Sequence, residues 1–282
     1  MSKVTLFGLF GGLGLFLYGM QQMGEGLQKI AGSRMRRLLE VLTSNRLMGV
    51  ALGTAITAII QSSSATTVMV VGFVNAGLMN LNQAIGVIMG ATIGTTVTAQ
   101  LIAFDIGAYA LVFVALGAVP IVFGMKKRWR DLGQVLVGFG VLFLGIETMK
   151  DAMAPLSQTD TFINLTLALS KNKALGLLVG TVMTGVVQSS SAAIGILQSL
   201  ASEGAITLQM VLPVLFGTNI GTTTTALLSS IGTSMAAKRA AVFHFVLKAI
   251  GTLIFLPLLP WFTKIVATSS PSPIRQIANA HT

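Results

Sequence analysis

Gln61-Ser62-Ser63-Ser64-Ala65 and Gln188-Ser189-Ser190-Ser191-Ala192 are one pentapeptide set twice into apolar stretches of a 282-residue chain. Each copy interrupts an apolar stretch, over 47–76 and over 174–201, leaving two pieces on either side of the serines. Pieces of roughly a dozen residues do not cross a bilayer, which takes about 20. The pattern predicts two re-entrant helical hairpins with polar tips, because irregular backbone at membrane depth survives only when buried in protein or facing a wet cavity.

The rest of the chain agrees with a membrane setting. Hydrophobic residues make up 53% and charged residues 9%, against about 25% charged in a soluble domain. Fully apolar runs fall near 4–24, 81–103, 107–124, 132–150, 208–231 and 238–260. They predict an all-α integral membrane protein of about six full spans plus the two hairpins, without the alternation of an outer-membrane barrel. The first run carries no small-residue cleavage site and reads as a retained helix. No cysteine is present, which excludes disulfides and thiolate metal sites.

Working outward from the pentapeptides reveals a duplication. A shift of 127, from Gln61 to Gln188, also places Gly49 on Gly176, Gly53 on Gly180, Thr54 on Thr181 and Thr57 on Thr184. It lays Gly90-Ala-Thr-Ile-Gly-Thr-Thr96 on Gly217-Thr-Asn-Ile-Gly-Thr-Thr223, and 20 of the 55 aligned pairs from Asn45 to Ala99 are identical. A shift of 126 pairs Gly19 with Gly145 and Met23 with Met149. Repeat one is read as 5–124 and repeat two as 131–260, within one membrane domain over 1–282. Residues 261–282 read as the start of a further segment, since Ile274 to Thr282 resembles the opening of the helix at Lys238.

Charge sets the orientation. The net charge of +10 lies in short clusters between apolar runs, a topological signal and not a nucleic-acid stripe. Placing Lys29–Arg46, Lys126–Arg130 and Lys238–Arg239 in the cytoplasm puts 11 of the 18 basic residues inside. The first hairpin then enters from the cytoplasm, three spans follow, and the second enters from outside. Inverted repeats with broken helices meeting near the midplane are the architecture of secondary transporters.

At each tip a half-helix begins inside the membrane with free N–H groups and a positive dipole end, which attract anions. Ser62, Ser63 and Ser64, with Ser189, Ser190 and Ser191 opposite, can donate to an anion or cap the helix, and Gln61 and Gln188 add amides. Thr hydroxyls and exposed carbonyls in the two glycine-rich stretches suit a small hard cation such as sodium. These four segments contain no Asp or Glu; the site is thus neutral, and an anion bound there calls for a co-bound cation to offset its charge. The glycine spacings themselves read first as helix-packing surfaces. His244 and Lys248 share a face of the last span and read as structural or snorkelling, and Glu147 as interfacial. A serine-hydrolase reading fails, because the only histidines are His244 and His281 and neither motif sits in a G-x-S-x-G elbow.

The paired QSSS motifs, each followed some 25 residues later by G-x-[TN]-I-G-T-T, resemble the type II sodium–phosphate cotransporters in their compact bacterial form, over residues 5 to 260. The resemblance implies a multi-pass plasma-membrane protein, not an enzyme, that carries inorganic phosphate with sodium as coupling ion and no other cofactor. It implies phosphate contacts from Gln61, Ser62, Ser63, Gln188, Ser189, Ser190 and Asn219. It implies sodium contacts from Ser64, Thr92, Thr95, Ser191, Thr222 and Thr223. Thr92 departs from the family's pattern, which has Asn there as repeat two does at Asn219. A homodimer, and a PhoU-like cytoplasmic partner or further domain, are implied partners beside the lipid bilayer. Export, another small oxyanion, and a non-transporting phosphate-sensing subunit stand as alternatives.

Overall fold

The computed structural model describes residues 3–31, 46–104, 106–153 and 172–282, with positions 155, 159 and 168. Every regular element among them is helical. The first half runs α1 (Lys3–Ala31), α2 (Arg46–Ile60), α3 (Ser63–Asn75), α4 (Leu81–Gly94), α5 (Thr96–Ile102), a 3₁₀ turn at Gly107–Tyr109 and α6 (Ala110–Val122). The second half runs α7 (Lys127–Met153), α8 (Lys173–Val187), α9 (Ser190–Ser202), α10 (Leu208–Gly221), α11 (Thr223–Ser229) and α12 (Met235–Phe255). Two short helices follow, α13 (Leu259–Thr268) and α14 (Pro273–His281), the latter where the helix opening at Ile274 was expected.

Glycine decides how close the helices come. α1 lies along α7, and a Cβ on Gly12 would stand 2.8 Å from the Gly145 carbonyl oxygen. α2 lies along α4 with Gly53, Gly86 and Gly90 at the seam, and α8 lies along α10 with Gly180, Gly217 and Gly221 at the equivalent seam. The hydroxyl of Thr54 donates to the carbonyls of Val50 (2.9 Å) and Gly90 (3.1 Å). Thr181 does the same to Leu177 (2.8 Å) and Gly217 (3.2 Å). Small-residue seams of this kind let backbones meet where no hydrophobic effect drives helix association. The duplication in sequence is thus a duplication of helix pairs.

Among the described residues three helices are long and apolar enough to cross a membrane, Leu81–Ile102, Lys127–Met153 and Leu208–Ser229, fewer than the six full spans expected from the apolar runs. Met235–Phe255 with Leu259–Thr268 makes a fourth if a pair bent by 87° is one span. Two of these are not plain rods, since α4 gives way to α5 at Thr95 and α10 to α11 at Thr222. The run at 107–124 folds as the 3₁₀ turn and α6, which together are shorter than a span.

Candidate functional site

α2 and α8 both stop on a glutamine in the left-handed region, Gln61 at φ +59° and Gln188 at φ +55°. A non-glycine residue there is uncommon and pays a conformational cost, so the chain turns sharply at the same point in both halves. The next residue is extended in each case, with Ser62 at φ −149° and Ser189 at φ −141°. Ser62 Oγ accepts from the Ala65 amide at 3.1 Å, and Ser189 Oγ from the Ala192 amide at 3.2 Å. The first serine of each motif is therefore an N-cap. Ser63 and Ser190 are the first residues of α3 and α9, each 6% exposed. Their amides and those of Ser64 and Ser191 belong to the first turn, which has no intrahelical acceptors.

Both tips face one cavity of about 450 Å³. Ile60 to Ala65, Thr95 and Gln188 to Ser191 line it. Leu17, Met20, Gln21, Gly24, Glu25 and Gln28 of α1 complete the lining. Two helix N-termini and six serines on one cavity are what recognition of a small oxyanion requires: fixed N–H dipoles, hydroxyl donors and no fixed counter-charge in the tips.

The structure separates the residues that sequence placed together. The whole of both QSSS motifs and Thr95 reach the shared cavity. Thr92 and Asn219, equivalent positions in the repeat, line a second cavity of about 470 Å³ instead. There Asn219 Oδ1 accepts from Lys248 Nζ at 2.9 Å, and Thr92 Oγ1 donates to the Ile88 carbonyl at 3.1 Å. Thr222 and Thr223 are buried and donate to the carbonyls of Thr218 (2.8 Å) and Ile220 (2.7 Å). They line neither cavity.

The neutral site inferred from four carboxylate-free segments needs correction, because α1 brings Glu25 to the cavity wall. Glu25 Oε1 accepts from Gln21 Nε2 at 2.9 Å and Oε2 from Gln134 Nε2 at 3.2 Å. Gln134 in turn accepts from Lys29 at 2.7 Å. The carboxylate is held by two amides, and among the described residues no cation pairs with it directly. A signal existed: the shift of 126 that pairs Met23 with Met149 lays Glu25 on Asp151, an acid in both halves. Among the described residues no group of three or more His, Cys, Asp or Glu could hold a metal ion.

The model of the Na+/Pi-cotransporter family matches residues 15–151 and 155–259. YqeW, an uncharacterized protein of Bacillus subtilis (strain 168), is 33% identical over 266 residues, covering 94% of this chain and 86% of that protein. YjbB of Escherichia coli (strain K12), described provisionally as an inorganic phosphate export protein, is 28% identical over 254 residues, 90% of this chain and 47% of its own length. The chain thus spans about half the length of that relative. Sodium-dependent phosphate transport protein 2A of Rattus norvegicus is 34% identical over 107 residues, 36% of this chain and 16% of that protein. No solved structure matches the chain.

Proposed function

This chain belongs to the Na+/Pi-cotransporter family, and from that premise we propose that it is a multi-pass membrane transporter that moves inorganic phosphate with sodium by alternating access. The observation that carries the reading is the convergence of α3 and α9, N-termini first, on one serine-lined cavity. In this reading α2–α3 and α8–α9 are re-entrant hairpins, related by inversion across the bilayer. Phosphate lies between the tips, taking the first-turn amides and the hydroxyls of Ser63 and Ser190, with Gln61 and Gln188 beside it. Ser62 and Ser189 serve by holding the half-helices in register.

Sodium has a physical place in this scheme. Phosphate entering a cavity that carries Glu25 meets a like charge, and a cation bound near the tips offsets it. Ser64, Thr95 and Ser191 are the hydroxyls on the cavity that would share such an ion. Thr92, Thr222, Thr223 and Asn219 would reach it only after the helices move. Coupling then follows from charge balance: phosphate is not stable in the closed cavity without the cation.

Ser63→Ala and Ser190→Ala remove donors while leaving both N-caps intact. Each should abolish sodium-driven phosphate uptake in vesicles at unchanged expression; full uptake by both variants would refute the assignment. A second reading, export in place of uptake, is favoured by the name of the Escherichia coli relative. Loading the vesicles with phosphate and reversing the sodium gradient distinguishes the two.

A further inference from the structure

The repeat places Gln61 on Gln188 and Thr98 on Thr225, so each half owns the same glutamine–threonine pair. The halves use it differently. Gln61 is 4% exposed, its amide donates to the Ala58 carbonyl, and its Oε1 accepts from Thr98 Oγ1 at 3.0 Å. Gln188 is exposed, and the hydroxyl of Thr225 is buried with no hydrogen-bond partner among the described residues. The residue four places beyond each glutamine reverses the pattern: Ala65 is exposed on the cavity, whereas Ala192 is 0% exposed.

This difference is not written in the sequence. A second orphan hydroxyl, Thr184, has a compositional cause: its equivalent Thr57 donates to Thr66 at 2.9 Å, and Ala193 stands where Thr66 would be. Thr225 has no such excuse, since the glutamine it would bond is present and turned away. A buried hydroxyl without a partner is costly, and the first half shows that this backbone can satisfy it.

We infer that Thr98 and Thr225 are positioning residues for the two tip glutamines, and that the glutamine–threonine bond is held by one half of the chain at a time. The inference rests on the reading of the chain as a protein that alternates between two forms. In the form seen here Thr98 holds Gln61 in the wall and Gln188 stands free at the cavity. In the exchanged form Gln188 folds inward onto Thr225, and Gln61 leaves Thr98 for the cavity. One bond replaces its repeat equivalent, so the two forms stay close in energy, as alternation demands. Each form presents one free amide to the anion.

The absence of native cysteine makes single-cysteine reporters unambiguous. Ala65→Cys and Ala192→Cys are alkylated with a water-soluble maleimide in vesicles, in otherwise native, Thr98→Val, Thr225→Val, Thr98→Ser and Thr225→Ser backgrounds. With both threonines native, position 65 should react at least tenfold faster than position 192. Thr98→Val should slow 65 and speed 192 severalfold, Thr225→Val should do the reverse, and both serine variants should restore the native ratio. Parallel shifts in both valine variants, or none, would overturn the inference. Thr225→Val breaks no bond seen here and so keeps the test alive if Thr98→Val fails to fold: it should preserve thermal stability while slowing labelling at 192. Unchanged labelling at 192 in that variant would overturn the inference. Labelling requires no phosphate flux. Reciprocal labelling in a chain that carries no phosphate would retire the transport reading and leave the exchange standing.

Discussion

Replacing Gly90 by alanine tests the helix seam on which the first tip depends. A Cβ there would press on the Val50 carbonyl and stand 2.7 Å from the Thr54 amide nitrogen, well inside van der Waals contact. The neighbours are backbone atoms of a packed helix and cannot swing aside, so α2 and α4 must part by roughly 1 Å. Overpacking of this kind costs about 1–3 kcal/mol. Parting also strains the bond from Thr54 Oγ1 to the Gly90 carbonyl, now 3.1 Å. At about 2–4 °C per kcal/mol for a chain of this size, the midpoint of thermal unfolding should fall by roughly 2–12 °C. Gly217→Ala at the equivalent seam meets the Leu177 carbonyl and the Thr181 amide nitrogen at 2.8 Å, and should behave alike. Gly72 is the control: nothing lies within 4 Å of a Cβ on it, and it sits inside α3. Gly72→Ala should be neutral or stabilising by up to about 1 kcal/mol, the helix preference of alanine over glycine. The assay is a thermal melt of the purified variants in detergent. Equal shifts for Gly90→Ala and Gly72→Ala would refute the seam argument.

Ser62→Ala and Ser189→Ala should each destabilise by about 1 kcal/mol through loss of the cap, and Ser62→Asn should recover most of it in the same melts. Glu25→Gln keeps the shape of the amide network but removes the carboxylate on the cavity; the sodium needed for half-maximal phosphate uptake should rise severalfold, and an unchanged sodium dependence would remove Glu25 from the coupling. Gln198 donates to the carbonyls of Ala99 (3.4 Å) and Ile274 (3.1 Å) while its own Oε1 has no partner among the described residues. Gln198→Leu should therefore cost only about 0.5–1.5 kcal/mol, the loss of α14's tie to α9 being offset by relief of a buried oxygen.

The parts of the fold legible in sequence are those with a local cause. QSSS interrupts apolar runs, so the helix breaks at 61 and 188 could be read directly, and so could the duplication, which needs only comparison of the chain with itself. Serines at a helix start predict caps, and Ser62 and Ser189 are caps. What escaped depends on the third dimension. Glu25 joins the cavity from a helix outside both motifs, and no spacing within the motifs points to it. Thr92 and Thr95 are three residues apart, yet the change of helix at Thr95 sends one to each cavity. Asn219 meets Lys248 in the second cavity, and no spacing within the motifs points to that lysine, whose repeat position in the first half is Ile121. The 87° bend after Phe255 lies where Pro257 and Pro260 interrupt an apolar run that hydropathy alone reads as continuous.

Sodium-coupled phosphate transport is tested by labelled phosphate flux into proteoliposomes, under an inward sodium gradient and under a matched potassium gradient. Accumulation above equilibrium is expected under the sodium gradient and not under potassium, and is abolished by Ser63→Ala and by Ser190→Ala. Phosphate flux that is equal under both gradients and survives both substitutions would contradict it.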